Sequence, residues 1–389
     1  MNELREVFEM VTKQAEPDRD SWKEQERRQQ RTARNRKVGA IGLVAALIAV
    51  AVVFAVTTTG KDGTLPQPAD TGSPDTPGQS PLGLAIVGLD GTVQQDLGLP
   101  TVAWMPDLSS DGTKVIFLTM STKVGFCGAC VPDNDRIVAI PFGESSGSFI
   151  YLEGVHIRRV EEPVWSPDGN QIAFVGVSRG DGNRDIYVAD LPDGQVEPAT
   201  FVDARRLTFD PAVDEFPAWS PDGSTIFFDN GGSEPLNDSG FSSTQEIWSV
   251  PADGGAAQRL TSNDVADAQA DVAADGTVAF WREGNIWTMD QDGGNPERLA
   301  AVPSETGFNP RWSPDGSMVA LLRYDPTAFV FISDLPGRPT GLPALEVVVV
   351  DLATGEVTVV GPRVAADFNP VSWTPDGSAL LINRYDAGA

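Results

Sequence analysis

A single histidine, His156, occurs in the 389 residues, with two cysteines, four tyrosines and six methionines. One imidazole excludes a multi-histidine metal site and leaves little for acid–base chemistry near neutral pH. The two cysteines, Cys127 and Cys130 in the run C-G-A-C, cannot make a zinc site without two further ligands. Positive charge is scarce: 28 Lys and Arg stand against 55 Asp and Glu, a formal net charge of −27. The imbalance is uneven. Residues 1–57 hold ten basic and eight acidic residues, and the remainder eighteen basic and forty-seven acidic. A surface that acidic repels phosphate and argues against nucleic acid as a partner. What is abundant is glycine, 39, and proline, 30, the residues of a chain with many short strands and tight reversals.

Long apolar runs are also missing, with one exception. Val38 to Val56 contains nineteen residues without a charge or strong polar group. At about 1.5 Å of helical rise per residue such a run crosses a hydrocarbon core of about 30 Å. Arg27, Arg28, Arg31, Arg34, Arg36 and Lys37 precede it, while Lys61 is the one basic residue between it and Pro81. The positive-inside rule then places the N-terminus in the cytoplasm and the remainder outside a bacterial cell membrane. The competing interpretation is a cleaved signal peptide. A 37-residue leader is long for that role, and a good small-x-small cleavage site is lacking. The expected organisation is a cytoplasmic segment over 1–37, a transmembrane helix over 38–57, a Pro/Gly/Thr-rich flexible linker over 58–81, and a folded domain over 82–389.

In the cytoplasmic segment Leu4, Val7, Phe8 and Val11 share one helical face, Pro17 ends the pattern, and Asp20 or Ser21 caps a second polar helix. An apolar stripe with no domain to bury it suits a cytoplasmic partner helix, self-association or a lipid surface; a disordered tail with chance spacing is the alternative. A zinc-type anti-sigma domain is unsupported, because residues 1–126 contain neither His nor Cys.

The folded domain repeats itself. PVWSPDGNQIAFV (163–175), PAWSPDGSTIFFD (217–229), PRWSPDGSMVALL (310–322) and VSWTPDGSALLIN (371–383) are clear copies. VAWMPDLSSDGTKVIFL (102–118), with an insertion in its turn, and DVAADGTVAFW (271–281), without its Trp, are degraded ones. Each copy predicts a hairpin: a strand ending at Trp104, Trp165, Trp219, Trp312 or Trp373, a Pro-Asp-Gly reversal, and an apolar second strand. A second hairpin follows, as in DIYVADLPDG (185–194) and EIWSVPADGG (246–255), and its outer strand often ends in Arg-Leu-Thr. Four strands per unit and six units predict an all-β, six-bladed propeller rather than a capped solenoid. The last copy supplies only two inner strands, so LGLAIVGLDGTVQQDLG (82–98) is expected to complete that blade and close the ring.

P-x-W-S-P-D-G, then I-A-F, I-Y-x-x-D-x-x-G and R-L-T, resembles the WD40-like (PD40) repeat of TolB-like propellers, across residues 82–389. The membrane-anchored form resembles tethered propellers of actinobacteria. The resemblance implies a fold and leaves function open, since such propellers serve as periplasmic interaction proteins, as N-terminal domains of prolyl-oligopeptidase-like peptidases, and as lyases.

Strand parity puts the S-P-D-G turns and second hairpin tips at one end of the propeller, and the longer mid-blade loops (121–136, 230–245 and 324–344) with the blade crossings at the other. Variable loops on a rigid frame are where binding concentrates. Acids just before the inner strands, Glu161, Glu162, Asp214, Glu215, Asp264, Asp267, Glu305 and Asp367, make a candidate ring at that mouth for a cation or basic partner segment; a plain solvated acidic surface is the alternative. Cys127 and Cys130 are expected to form a disulfide in an oxidising compartment. Gly143-Glu144-Ser145-Ser146-Gly147 matches the hydrolase elbow pattern but falls in a hairpin tip without a helix. Asp181–Asp185 starts like a calcium loop and then fails at Ile186 and Pro192. No cofactor and no metal are expected. The leading expectation is a non-enzymatic module binding a protein, peptide or envelope glycan outside the membrane, with residues 1–37 free to signal. The alternative is a lyase or hydrolase at the channel mouth, through acidic pairs.

Overall fold

The computed structural model describes residues 82–97, 103–119, 136–142, 148–153, 157–179, 182–191, 199–231, 245–304, 307–331, 341–364 and 371–385. Expectations for residues 1–81, Cys127, Cys130, residues 143–147, His156, Glu305 and Asp367 lie outside them. Among the described residues no helix is long and apolar enough to cross a membrane.

Six four-stranded blades form the domain. The closing blade takes β1 (Leu82–Gly88) and β2 (Val93–Asp96) from one end of the domain and β23 (Ser372–Trp373) and β24 (Ala379–Tyr385) from the other, in the order β2-β1-β24-β23. β1 and β24 pair antiparallel from Leu82↔Tyr385 to Gly88↔Ala379, so both ends of the domain seal the ring as its sequence implies. Blade 1 is β3 (Ala103–Leu108), β4 (Lys114–Thr119), β5 (Arg136–Pro141) and β6 (Ser148–Glu153). Blade 2 is β7 (Ile157–Trp165), β8 (Gln171–Ser178), β9 (Arg184–Asp190) and β10 (Ala199–Arg206). Blade 3 is β11 (Asp214–Trp219), β12 (Thr225–Asn230), β13 (Glu246–Pro251) and β14 (Gln258–Arg259). Blade 4 is β15 (Asp267–Val272), β16 (Val278–Arg282), β17 (Asn285–Met289) and β18 (Glu297–Arg298). Blade 5 is β19 (Phe308–Trp312), β20 (Met318–Phe331), β21 (Gly341–Asp351) and β22 (Val357–Val364). The sequence does not disclose one feature: β10 pairs parallel with β6 over Ala199–Asp203 before it joins β9 at Ala204–Arg206, which links blades 1 and 2 into one eight-stranded sheet.

The repeated residues have physical tasks. In five turns the Ser or Thr hydroxyl donates to the Asp two residues on, as Ser220 does to Asp222 at 2.6 Å, and accepts the first N–H of the next strand, as from Thr225 at 3.0 Å. The turn Gly adopts positive φ. At Gly112 (φ 69°) an added Cβ would also lie 2.9 Å from Pro375 of the neighbouring turn. In the Arg-Leu-Thr ending, Thr208 and Thr261 accept the N–H groups of Ile186 and Ile247, while Arg206 and Arg259 pair with Asp185 and Glu246 at 2.7 and 2.6 Å. Replacing Ser220 by Ala is expected to cost about 1 kcal/mol, the net worth of a partly buried hydrogen bond. Urea unfolding of the two chains measures it, and equal midpoints would count against the hydroxyl.

Each motif Trp packs on the preceding blade. Trp165 joins Ile116, Leu118 and Ile137 of blade 1; Trp219 joins Ala173 and Val175 of blade 2; Trp373 joins Ala320, Leu322 and Val347 of blade 5. Trp312 packs with Ala279 and Ile286 of blade 4. Trp104 requires a correction. The register Leu108↔Val115 corresponds to Trp165↔Ile172 and Trp219↔Ile226, and Leu108 is buried among Leu84, Ile86 and Leu381 of the closing blade. Leu108 therefore holds the Trp position of the first copy. That copy has no insertion: M-P-D-L-S-S-D-G (105–112) aligns residue for residue with E-P-V-W-S-P-D-G (162–169).

Candidate functional site

The inner strands line a central channel, and those of blades 1 to 5 each carry a bulge three residues before the Trp position. Met105, Glu162, Phe216, Gln269 and Asn309 have φ between 49° and 59° there, and strand register shifts at each. Left-handed backbone is costly for such side chains, and the bulges set up links between blades. The Glu162 N–H donates to Met105 Sδ at 3.2 Å, Phe216 N–H to Glu162 Oε2 at 2.6 Å, and Asn309 N–H to Gln269 Oε1 at 2.9 Å. Phe216 has no acceptor to offer blade 4. Asp229 of β12 takes its place, accepting Gln269 N–H at 2.7 and 2.9 Å and Gln245 Nε2 at 3.1 Å.

Three of the predicted acids meet at this loop end. Arg184 pairs with Glu161 at 3.1 Å and with Glu215, and Arg159 pairs with Glu161. Burial first, and then the Glu215 and Glu161 charges, pushes the Glu162 carboxyl up to about 8. Burial likewise raises Glu215, against the opposing pull of Arg184, and lifts Asp229 well above the ordinary carboxylate range. Asp214 and Asp267 do not join them. Asp214 is buried in the seam between blades 2 and 3, where Asn230 Nδ2 donates to it at 2.9 Å; burial raises it to about 8. Asp267 is held inside blade 4 by Arg282 Nη2 at 2.6 Å and Asn263 at 2.7 Å. Asp264 is exposed. The expected ring is therefore a one-sided cluster in blades 2 and 3, because strand parity and the bulge turn the acid five residues before Trp away from its neighbour.

The turn end of the channel holds a cavity of about 370 Å³ lined from all six blades. Its character varies with the residue just before each Trp position, which the motif leaves variable: Asp107, Asp271, Arg311 and Ser372 are polar, Val164 and Ala218 apolar. Asp107 accepts Trp165 N–H at 2.8 Å and the Ser372 hydroxyl at 3.0 Å, and Ser372 Oγ accepts Leu108 N–H at 3.1 Å across the ring closure. Asp271 accepts Trp312 N–H at 2.7 Å and Arg311 Nη1 at 3.3 Å. Burial raises both carboxyls, opposed mainly by the Trp165 N–H bond at Asp107 and by Arg311 at Asp271. Asp107 and Asp271 come from opposite blades, 1 and 4, whereas Val164, Pro217 and Ala218 make blades 2 and 3 the apolar side. Sequence reasoning placed the binding face at the other end and missed this set. Aligning the residue before each Trp position would have exposed it.

Comparison with known proteins bears on the frame. Residues 104–285 match the family model described as the TolB beta propeller domain, PD40. An uncharacterized protein of Agrobacterium fabrum is 30% identical over 177 residues, 42% of this chain and 54% of that protein. An uncharacterized peptidase of Bacillus subtilis is 34% identical over 83 residues, 21% of this chain and 11% of that protein. The chain thus spans about half of the first relative and about a tenth of the second. A solved structure described as a TolB of Agrobacterium tumefaciens has a TM-score of 0.54 at 19% identity, covering 79% of this chain and 99% of that one. With its repeats, that shared fold and six four-stranded blades, the chain is a six-bladed β-propeller of TolB-like fold, which carries PD40 repeats over residues 104–285.

Proposed function

We propose that this chain is a single-pass membrane protein whose propeller stands outside the cell membrane as a non-enzymatic binding module for a protein, peptide or envelope glycan. Residues 38–57 supply the transmembrane helix, and residues 1–37 remain in the cytoplasm, where they are free to report occupancy to a partner. The uncharged run and its basic upstream flank support the anchor. The observation that carries the binding role is the turn-end cavity, an opening lined by every blade, with carboxylates from blades 1 and 4, a guanidinium from blade 5 and apolar residues from blades 2 and 3. A second reading, a lyase or hydrolase, draws on Glu162: a carboxyl near 8 beside Glu215 suits proton transfer at neutral pH.

Photo-crosslinkers at Ser110 and Ala274, on the cavity rim of the full-length protein in native membranes, test the binding role. Capture of an envelope component from both positions is expected, and it should persist in a chain lacking residues 2–35. Turnover of envelope material that Glu162→Gln abolishes, without capture at the rim, would replace this reading by the enzymatic one.

A further inference from the structure

The loop end of the channel carries an arrangement that the turn-end cavity does not explain. Glu161, Glu162, Glu215 and Asp229 set four carboxyls against two guanidinium groups, Arg159 and Arg184. Both cations are engaged with Glu161 or Glu215. Glu162, partly open to solvent, makes no ion pair among the described residues; its bond from Phe216 N–H is to backbone. A second feature is independent of the acids. Gln245 is 2% exposed and its Oε1 has no hydrogen-bond partner, although its Nε2 is fixed to Asp229. The amide is thus pinned with an orphaned acceptor beside the cluster. Gln269, 1% exposed and bound through its backbone to Asp229, has an orphaned donor in Nε2. Buried polar atoms without partners are costly, and a ligand that brings N–H groups and a carbonyl would complete both.

We infer that this channel wall receives one basic side chain, a guanidinium or ammonium presented by a polypeptide, with Glu162 and Gln245 Oε1 accepting its N–H groups and Gln269 Nε2 donating to a backbone carbonyl beside it. A bare metal ion fits less well. Among the described residues no group of three or more His, Cys, Asp or Glu is placed to hold one, and a metal ion offers nothing to an orphaned donor. The groups facing Glu162 are Glu161 and Arg184 of its own blade and Glu215, Asp229 and the Phe216 N–H of blade 3. Since burial and the two neighbouring glutamates hold its proton at neutral pH, an arriving cation displaces that proton. Binding is therefore coupled to release of up to about one proton and weakens with salt.

The test is isothermal titration of the full chain in detergent at pH 7 with acetyl-Gly-Arg-Gly-amide, run in phosphate and in Tris. Acetyl-Gly-citrulline-Gly-amide is the neutral isostere. The expected result is binding of the arginine peptide alone, with enthalpies that differ between buffers by release of about half to one proton. Glu162→Gln, which keeps an acceptor for Phe216 N–H, should weaken it about tenfold and abolish the buffer dependence. Asp271→Asn, in the other cavity, should change neither. Equal binding of both peptides, no binding at millimolar concentration, or loss on Asp271→Asn with Glu162→Gln unaffected would each overturn the assignment. Thermal unfolding of both variants confirms that they are folded. Failure here leaves the rim crosslinks of the proposed binding role untouched, because the two experiments address opposite ends of the channel.

Discussion

A chain ending at Ser378, and so lacking β24, is expected not to form the propeller. β24 pairs with β1 along seven residues, and its side chains are shared by the two seams of the closing blade. Leu380 and Ile382 pack with blade 5, and Ala379 and Leu381 with blade 1. Burying a side chain of that size contributes about 1.5–3 kcal/mol, so the three large ones together rival the roughly 5–15 kcal/mol that separates a typical folded domain from its unfolded state. Their loss also leaves β1 with one unpaired edge, and the ring opens between blades 5 and 1. Near-UV circular dichroism during heating measures the result: a cooperative transition for the full chain and none for the shortened one. A peptide of residues 379–389 added to the shortened chain should restore part of the transition, since the strand reaches its place between β1 and β23 without threading. A cooperative transition near the full-length temperature, with no peptide present, would show that the ring is not sealed by both ends of the domain. Leu381→Ala, a milder form of the same lesion, should lower stability by about 2–5 kcal/mol.

That the two ends share a blade is legible in the sequence because the last copy, 371–383, stops after two strands while 82–98 offers two strands without a copy. The turns are equally legible, since Ser, Asp and Gly each perform a local task within five residues. The first copy misleads. Trp104 stands near the repeat spacing, yet Leu108 fills the seat, because the seam to the closing blade is lined by Leu84, Ile86 and Leu381 and accepts a smaller apolar side chain. The loop-end acids are legible as a set of candidates, and Glu161, Glu162 and Glu215 do meet. Their sorting is not legible. Asp214 and Asp267 occupy equivalent positions and are each absorbed by a partner from their own blade, Asn230 and Arg282. Asp229 is hidden for a different reason: it belongs to the second strand of its blade, and reaches the channel wall only because Phe216 leaves the Gln269 N–H without a side-chain acceptor. The parallel pairing of β6 with β10 depends on where two outer strands end in space, and no repeat pattern encodes it.

The second large effect is on pH. Asp214 is raised from 3.8 to about 8, chiefly by burial, with hydrogen bonds from Thr208 and Asn230 opposing and the charges of Asp210 and Asp185 adding. Glu162 is raised from 4.5 to about 8, again chiefly by burial. The folded chain therefore keeps protons that the unfolded chain has already released. The stability tied to these groups is whole below the unfolded values and is lost as pH climbs through about 8, at up to about 1.4 kcal/mol per pH unit for each group. The turn carboxylates act in the opposite sense. Hydrogen bonds from Ser109, Ser220 and Ser317 and from their turn backbones hold Asp111, Asp222 and Asp315 at about 2, so their contribution is present above 3.8 and fades as pH falls through 2. Stability should then peak near pH 4 to 5 and decline towards both sides. Asp214→Asn keeps the oxygen that accepts from Asn230 but has no proton to lose. Urea midpoints at pH 4.5 should place it at or below the parent chain, and at pH 9 above it. A difference between the two chains that stays constant from pH 4.5 to 9 would mean that Asp214 ionises in the folded state at its ordinary value, and that the seam between blades 2 and 3 is wetter than its burial implies.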